Sequence, residues 1–186
     1  MRKIKAIISL LVTLLLIFSY LGIINQPQDP PRPQVEGIQY LPTAFPSTWA
    51  TVTKVVDGDT IRVLLNGQKL TIRIIGLDTP ETVDPRKPVQ CMGKAASDRA
   101  KELLFNKQVV LEADPTQEET DKYGRLLRYV FINGTDDYGL GAILEGYGLE
   151  YTYRLPYKYQ TEYKNAENAA RNAKTGLWMD NACPTK

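Results

Sequence analysis

A chain of 186 residues has room for a targeting segment and one domain with a real core, and excludes a second domain of ordinary size. With 23 basic against 21 acidic residues the formal charge is only +2, and there is no histidine, so the most common catalytic base is ruled out.

In chain order, Met1-Arg2-Lys3-Ile4-Lys5 is basic and Ala6 to Ile24 is almost continuously apolar and uncharged, so residues 1–24 have the pattern of an export signal. The run approaches the roughly 20 residues that cross a bilayer as a helix, so a retained anchor through residues 6–24 and a cleavable signal both fit. No Ala-x-Ala-like site follows Phe18, which favours the anchor. The basic end is expected to stay cytoplasmic while the rest crosses. Residues 25–46, with Pro27, Pro30, Pro31, Pro33, Pro42 and Pro46, read as an extended, semi-rigid linker. Arg2, Lys3, Lys5 and Arg32 against Asp29 and Glu36 place the whole formal charge in this leader, leaving residues 47–186 neutral. A neutral domain draws little non-specific phosphate binding, so a nucleic-acid ligand here would lean on a metal and a local patch.

The domain is expected over 47–180, with a tail at 181–186. Thr51 to Val56, Thr60 to Leu65 and Lys69 to Ile75 are rich in β-branched residues. They are separated by Asp57-Gly58-Asp59 and by Asn66-Gly67, the strongest short hairpin signal, and read as a three-stranded meander. Met92, Ala96, Ala100 and Leu103 then fall at helical spacing. Gln108 to Glu112 and Leu126 to Ile132 supply two more strands, the second ended by Asn133-Gly134. Leu140, Ile143, Leu144 and Tyr147 mark a short helix that Gly148 is expected to close in a left-handed conformation. Tyr159, Tyr163, Ala166, Ala170 and Ala173 mark a last helix ended by Gly176. Five strands with a helix after the third describe an α+β OB-type Greek-key barrel with three helices, an architecture that binds single strands or oligosaccharides across one face. The pattern alone also allows other small α+β folds.

Three runs carry chemistry: Asp57-Gly58-Asp59-Thr60, then Arg73 leading into Asp78-Thr79-Pro80-Glu81-Thr82, then Asp121-Lys122-Tyr123-Gly124-Arg125. Clustered carboxylates suit a hard cation. Planar guanidinium forks suit the oxygens of a phosphodiester. Standing alone, Asp57-Gly58-Asp59 is an ordinary turn sequence. Arg73, inside an apolar strand, needs a partner if it is buried.

The order and spacing of these runs resemble the thermonuclease family, whose members are calcium-dependent secreted nucleases of the staphylococcal type. The likeness extends from about Ala50 to Gly176-Leu177-Trp178. It implies an OB-fold barrel and a sugar-nonspecific nuclease of DNA and RNA that prefers strands that open easily, cuts the P–O5′ bond and leaves 3′-phosphate ends. It assigns Asp59, Asp78 and the carbonyl of Thr79 to calcium, with Asp57 acting through water. It assigns Arg73 and Arg125 to the scissile phosphate and Glu81 to the attacking water. Lys122 and Tyr123 match contacts to the terminal phosphate, and Tyr151 and Tyr153 match base-stacking tyrosines once a small deletion is allowed. The protein is expected to act as a monomer, exported and either anchored or released. On the outer side of a membrane Cys91 and Cys183 are expected to be bridged, pinning the tail to the body. Two rival classes remain: a nucleic-acid-binding OB module without catalysis tethered at the membrane, and a tethered adaptor for protein or glycan.

Overall fold

The computed structural model describes residues 48–82 and 88–183; the predicted leader and linker lie outside them, as does the end of the tail. Strands β1 (Thr48–Val55), β2 (Thr60–Leu65) and β3 (Gln68–Ile74) form the expected antiparallel meander, followed by the short β4 (Leu77–Asp78). Helix α1 (Gly93–Leu104) leads to β5 (Gln108–Glu112), β6 (Leu126–Ile132) and the short β7 (Asp136–Asp137). Helix α2 (Tyr138–Leu144), β8 (Leu149–Glu150), helix α3 (Gln160–Ala173) and a 3-10 turn at Gly176–Trp178 complete the domain.

The strand order β3-β2-β1-β5-β6 closes on itself through a parallel β3–β6 pairing, which makes a five-stranded barrel of OB type with three helices. Asn66 and Gly67 both have positive φ, 49° and 80°, as the two-residue hairpin between β2 and β3 requires. β1 starts three residues before the expected Thr51, because Thr48 to Thr51 pair with Leu111 to Gln108 of β5. Alternate residues Val52, Ile61, Val63, Ile72 and Ile74 point inward and are buried.

The core is rich in tyrosine, and burying a phenol without a partner is costly. Each hydroxyl has one. Tyr129 donates to Asp114 at 2.6 Å, Tyr159 to Glu112 at 3.1 Å, and Tyr163 to both oxygens of Asp137 at 2.9 and 3.0 Å. Asp137 also accepts from the Leu140 amide, capping α2. Arg99 of α1 holds Glu145 at the end of α2 through two hydrogen bonds of 2.8 and 3.1 Å.

The helix ends differ from the sequence expectation. α1 buries Gly93, Ala96, Ser97, Ala100 and Leu104 and leaves Leu103 half-buried, while Met92 lies just before the helix with φ 65°. The stripe is shifted because the preceding loop packs on the helix start: a Cβ on Gly93 would lie 2.8 Å from Thr82 and 3.0 Å from the Pro80 carbonyl. α2 is closed by Gly146 (φ 76°), not Gly148. The amide of Tyr147 bonds to the Ala142 carbonyl and that of Gly146 to the Ile143 carbonyl, a Schellman pattern. Gly148 is small for another reason, since a Cβ there would meet Leu77 at 2.5 Å. α3 ends on Lys174 in the left-handed region, two residues before Gly176, and Ala173 is exposed and outside the core stripe.

Gly146 and Gly176 instead meet each other. Leu177 donates its amide to the Gly146 carbonyl at 2.8 Å, and a Cβ on Gly146 would lie 2.3 Å from the Thr175 oxygen. Beyond the turn, the sulfurs of Cys91 and Cys183 lie 2.10 Å apart, within covalent distance, with Cα atoms at 5.7 Å.

Gly146→Ala should destabilise the domain by at least about 2 kcal/mol, because it adds a left-handed penalty to a backbone clash. Gly141→Ala, at a helical position with nothing within 4 Å of the new methyl, should be neutral or stabilise by up to about 1 kcal/mol. Urea denaturation of the two variants measures the contrast, and equal effects would contradict the packing described.

Candidate active site

The pairing register of the barrel sets the site. Thr60 lies opposite Arg73 in the β2–β3 ladder, and the Ile74 amide bonds to the Asp59 carbonyl at 2.9 Å, so the 57–59 turn and the end of β3 are held side by side. The parallel β3–β6 pairing, with Arg73 opposite Leu127, brings the loop that carries Asp121 to Arg125 to the same end of the barrel. The turn itself is packed tightly. The Asp59 amide bonds to Asp57 Oδ1 at 3.3 Å, a Cβ on Gly58 would lie 2.7 Å from Thr79, and the buried Tyr138 hydroxyl donates to the Gly58 carbonyl at 2.7 Å.

Arg73 stands at the centre with its side chain only 14% exposed. Its Nη2 lies 2.9 Å from Asp78 Oδ1 and 3.4 Å from Asp59 Oδ2, and its Nη1 donates to the carbonyls of Ile74 and Leu77. Asp59 Oδ2 also accepts from the Thr79 amide and hydroxyl at 3.0 and 3.2 Å. On the other side, Thr60 donates to Asp59 Oδ1 at 2.8 Å and accepts from Arg125 Nη1 at 3.3 Å. A short relay therefore joins both guanidinium groups to one buried carboxylate. Glu81 lies on the loop beyond Thr79; its amide donates to Gln90 Oε1 at 2.8 Å and its carbonyl accepts from the Gln90 amide at 3.0 Å.

A cleft of about 750 Å³ opens beside this centre. Arg73, Asp78, Asp121, Lys122, Tyr123, Arg125, Tyr151 and Tyr153 all line it. Asp57, Asp59 and Thr79 are buried rather than among the lining residues. Tyr123 is exposed, with the Lys122 ammonium 5.0 Å and the Arg125 guanidinium 5.4 Å from its ring centre. Tyr151 is fixed by its amide bond to the Gly76 carbonyl at 2.9 Å, and its ring lies 6.4 Å from that of Tyr153.

Negative charge is crowded here. Burial, with the neighbouring Asp59 and more distant Glu81 carboxylates, pushes the Asp57 carboxyl up to about 7. Burial also raises Asp78, reinforced by Asp59 and Glu81, against the opposing pull of Arg73. At Asp121 burial opposes ionisation, but hydrogen bonds from the Arg125 amide and guanidinium and from the Tyr123 amide hold the carboxyl below its usual range.

Three positioning groups were not given a role by sequence reading. Tyr138 holds the Gly58 carbonyl, Gln90 brackets Glu81, and Asp121 grips Arg125 Nε at 2.6 Å. Only Asp121 left a signal, four residues before Arg125 in the third run; Tyr138 acts on a residue 80 positions away and Gln90 on one nine positions away, and no local pattern marks either contact.

Residues 71–180 match the family model described as staphylococcal nuclease homologue. The chain is 43% identical over 129 residues to a thermonuclease of Staphylococcus hyicus, covering 69% of this chain and 75% of that protein. It is 41% identical over 127 residues to a thermonuclease of Staphylococcus intermedius, covering 68% and 74%. The endonuclease YncB of Bacillus subtilis strain 168 is 39% identical over 129 residues, covering 69% and 60%. A closed OB barrel with this site and these relatives is a hydrolytic nuclease. The chain belongs to the staphylococcal nuclease family.

The elevated Asp57 carboxyl gives a signed prediction. Its ordinary value is 3.8 and its folded value about 7, so between these limits the folded protein binds the extra proton. In chelator, stability should therefore fall as pH rises from about 4 to 7. Asp57→Asn should flatten part of that slope and raise stability at pH 8, measured by urea denaturation across the range; an unchanged slope would show that Asp57 ionises normally.

Proposed function

We propose that this domain is a calcium-dependent, sugar-nonspecific nuclease that hydrolyses phosphodiester bonds of DNA and RNA, prefers readily opened strands, and works outside the membrane as an anchored or released monomer. The observation that carries the reading is the convergence of Arg73 and Arg125 on Asp59, with Asp78 in the same cluster at the cleft. Stability alone does not call for this: replacing buried ion pairs by apolar packing is often neutral or better.

The donor set suits a hard cation. Asp59, Asp78 and the Thr79 carbonyl offer oxygen, and the crowded carboxylates favour added positive charge. Among the described residues no three acidic, histidine or cysteine side chains form a metal cage. An ion held by two carboxylates, one carbonyl and water fits calcium, which takes six to eight oxygens in loose geometry. When bound, calcium would supply charge to the phosphate and acidify a coordinated water.

The chain's own groups do the rest. Arg73 and Arg125 present planar forks to the equatorial oxygens of the phosphodiester, and their hydrogen bonds strengthen as the pentacoordinate transition state gains negative charge. Glu81 accepts the proton of the attacking water or orients it. The new P–O bond forms as the P–O5′ bond breaks, and the 5′ oxygen takes a proton from solvent, which balances the one given up by the attacking water. Tyr151 and Tyr153 offer ring faces that stack on any base, and Lys122 and Tyr123 meet a terminal phosphate. The Cys91–Cys183 bridge belongs to the exported protein.

A DNA-containing activity gel with calcium should show cleavage that chelator abolishes; cleavage insensitive to chelator would remove the cation from the reading. Glu81→Gln should lower kcat by about 10²- to 10⁴-fold with KM and thermal midpoint near those of the parent. Arg73→Lys should cost more activity than stability, because the two-pronged geometry is lost while the charge remains. N-terminal sequencing of the mature protein separates anchor from secreted product, and thiol labelling before and after reduction tests the bridge.

A further inference from the structure

The cleft continues past the two phosphate-binding arginines. Beyond Tyr151 and Tyr153 its lining passes to Arg154, Leu155, Gln117 and Glu118. This far end is built as a wall: the Gln117 side-chain amide donates to the carbonyls of Leu155 and Pro156 at 3.4 and 3.1 Å, and the Thr116 hydroxyl lies 3.3 Å from the Pro156 carbonyl. The wall is rooted in the core through Asp114, which accepts from the Thr116 and Lys158 amides and from Tyr129. Two segments distant in sequence are therefore stitched into one surface.

Among the described residues that form this wall, Arg154 is the cation that lines the cleft. The Arg154 guanidinium lies 5.1 Å from the ring centre of Tyr153, its side chain is 70% exposed, and its ion pair to Glu118 is long, 3.9 Å, with Glu118 77% exposed. Exposed pairs of this kind contribute little to stability and exchange readily for another anion. Arg73 and Arg125, which line the same cleft, hold closer ion pairs, 2.6 to 3.4 Å, to Asp121, Asp78 and Asp59. Two exposed aromatic rings side by side, ending in a guanidinium stacked on the outer ring, match what a single strand offers: successive base faces and a backbone phosphate.

We propose that the Arg154 end of the cleft is a second phosphate subsite, in which Arg154 exchanges Glu118 for the backbone phosphate of a neighbouring nucleotide while Tyr151 and Tyr153 carry the adjoining bases. The cleft then recognises a run of single-stranded nucleic acid, and Glu118 acts as an internal competitor for that phosphate. This rests on the nuclease reading of the same cleft.

The test compares parent, Arg154→Ala and Glu118→Ala on single-stranded oligonucleotides of increasing length, with a dinucleotide as the short limit. Arg154→Ala should raise KM on long strands by about three- to tenfold with kcat unchanged, an effect that shrinks toward the dinucleotide. It should also reduce the salt slope of log affinity by about 0.7, one phosphate contact on a single strand. Glu118→Ala should lower KM on long strands. If Arg154→Ala leaves the length dependence and salt slope as in the parent, or changes kcat equally on all lengths, the subsite is refuted. If the parent cleaves no nucleic acid in calcium, it is the nuclease reading that fails.

Discussion

The structure turns on one guanidinium group. Arg73 is nearly buried at the end of β3 and satisfied from four directions, by two backbone carbonyls and the carboxylates of Asp59 and Asp78. A buried cation without such partners would be prohibitively costly, so the register that places Thr60 opposite Arg73 and the turn that delivers Asp78 are tied to the same requirement. The charge compensation that makes Arg73 tolerable in the fold is also what a phosphodiester would compete for. In this protein the same few contacts hold one barrel end together and shape the proposed phosphate site at its mouth.

The tyrosine-rich core performs a related task in the neighbouring layer. Tyr129, Tyr159 and Tyr163 fill volume as aromatic rings, while their hydroxyls satisfy carboxylates that the chain buries at Asp114, Glu112 and Asp137. Asp114 in turn fixes the loop that forms the far wall of the cleft, and Asp137 starts the helix whose first residue, Tyr138, holds the Gly58 carbonyl. Polar networks of this kind are specific only when every member is satisfied. Here they link packing beneath the sheet to the position of the acidic turn above it.

Most of the barrel was legible because its signals are local. Asn66-Gly67 demands a two-residue turn, alternating Val and Ile demand a half-buried strand, and β2, β5 and β6 fall where those patterns place them. What the chain concealed was made by tertiary contact. Gly148 reads as a helix end, yet Gly146 takes the left-handed position because Gly176 must pass close by. β4 and β8 are two residues each, too short for any periodicity, and exist because Leu77 and Asp78 find Glu150 and Leu149. The site was readable as residue types in an order, since carboxylates and arginines in three runs have little use in packing. Its supporting groups were not, because Tyr138 and Gln90 have no local signature.

The joint between Gly146 and Gly176 is made main chain against main chain. Leu177 reaches the Gly146 carbonyl through a space that any methyl group would occupy. A seam of this type is blind to side-chain chemistry, so it constrains the path of the backbone and not the charge of the residues around it. Within the seam, Gly146 and Gly176 are where a Cβ would strike main chain, and an insertion or deletion between them would have to preserve their encounter. The seam thus acts as a ruler for the C-terminal third of the domain, measuring out the chain between the end of one helix and the turn that follows the next.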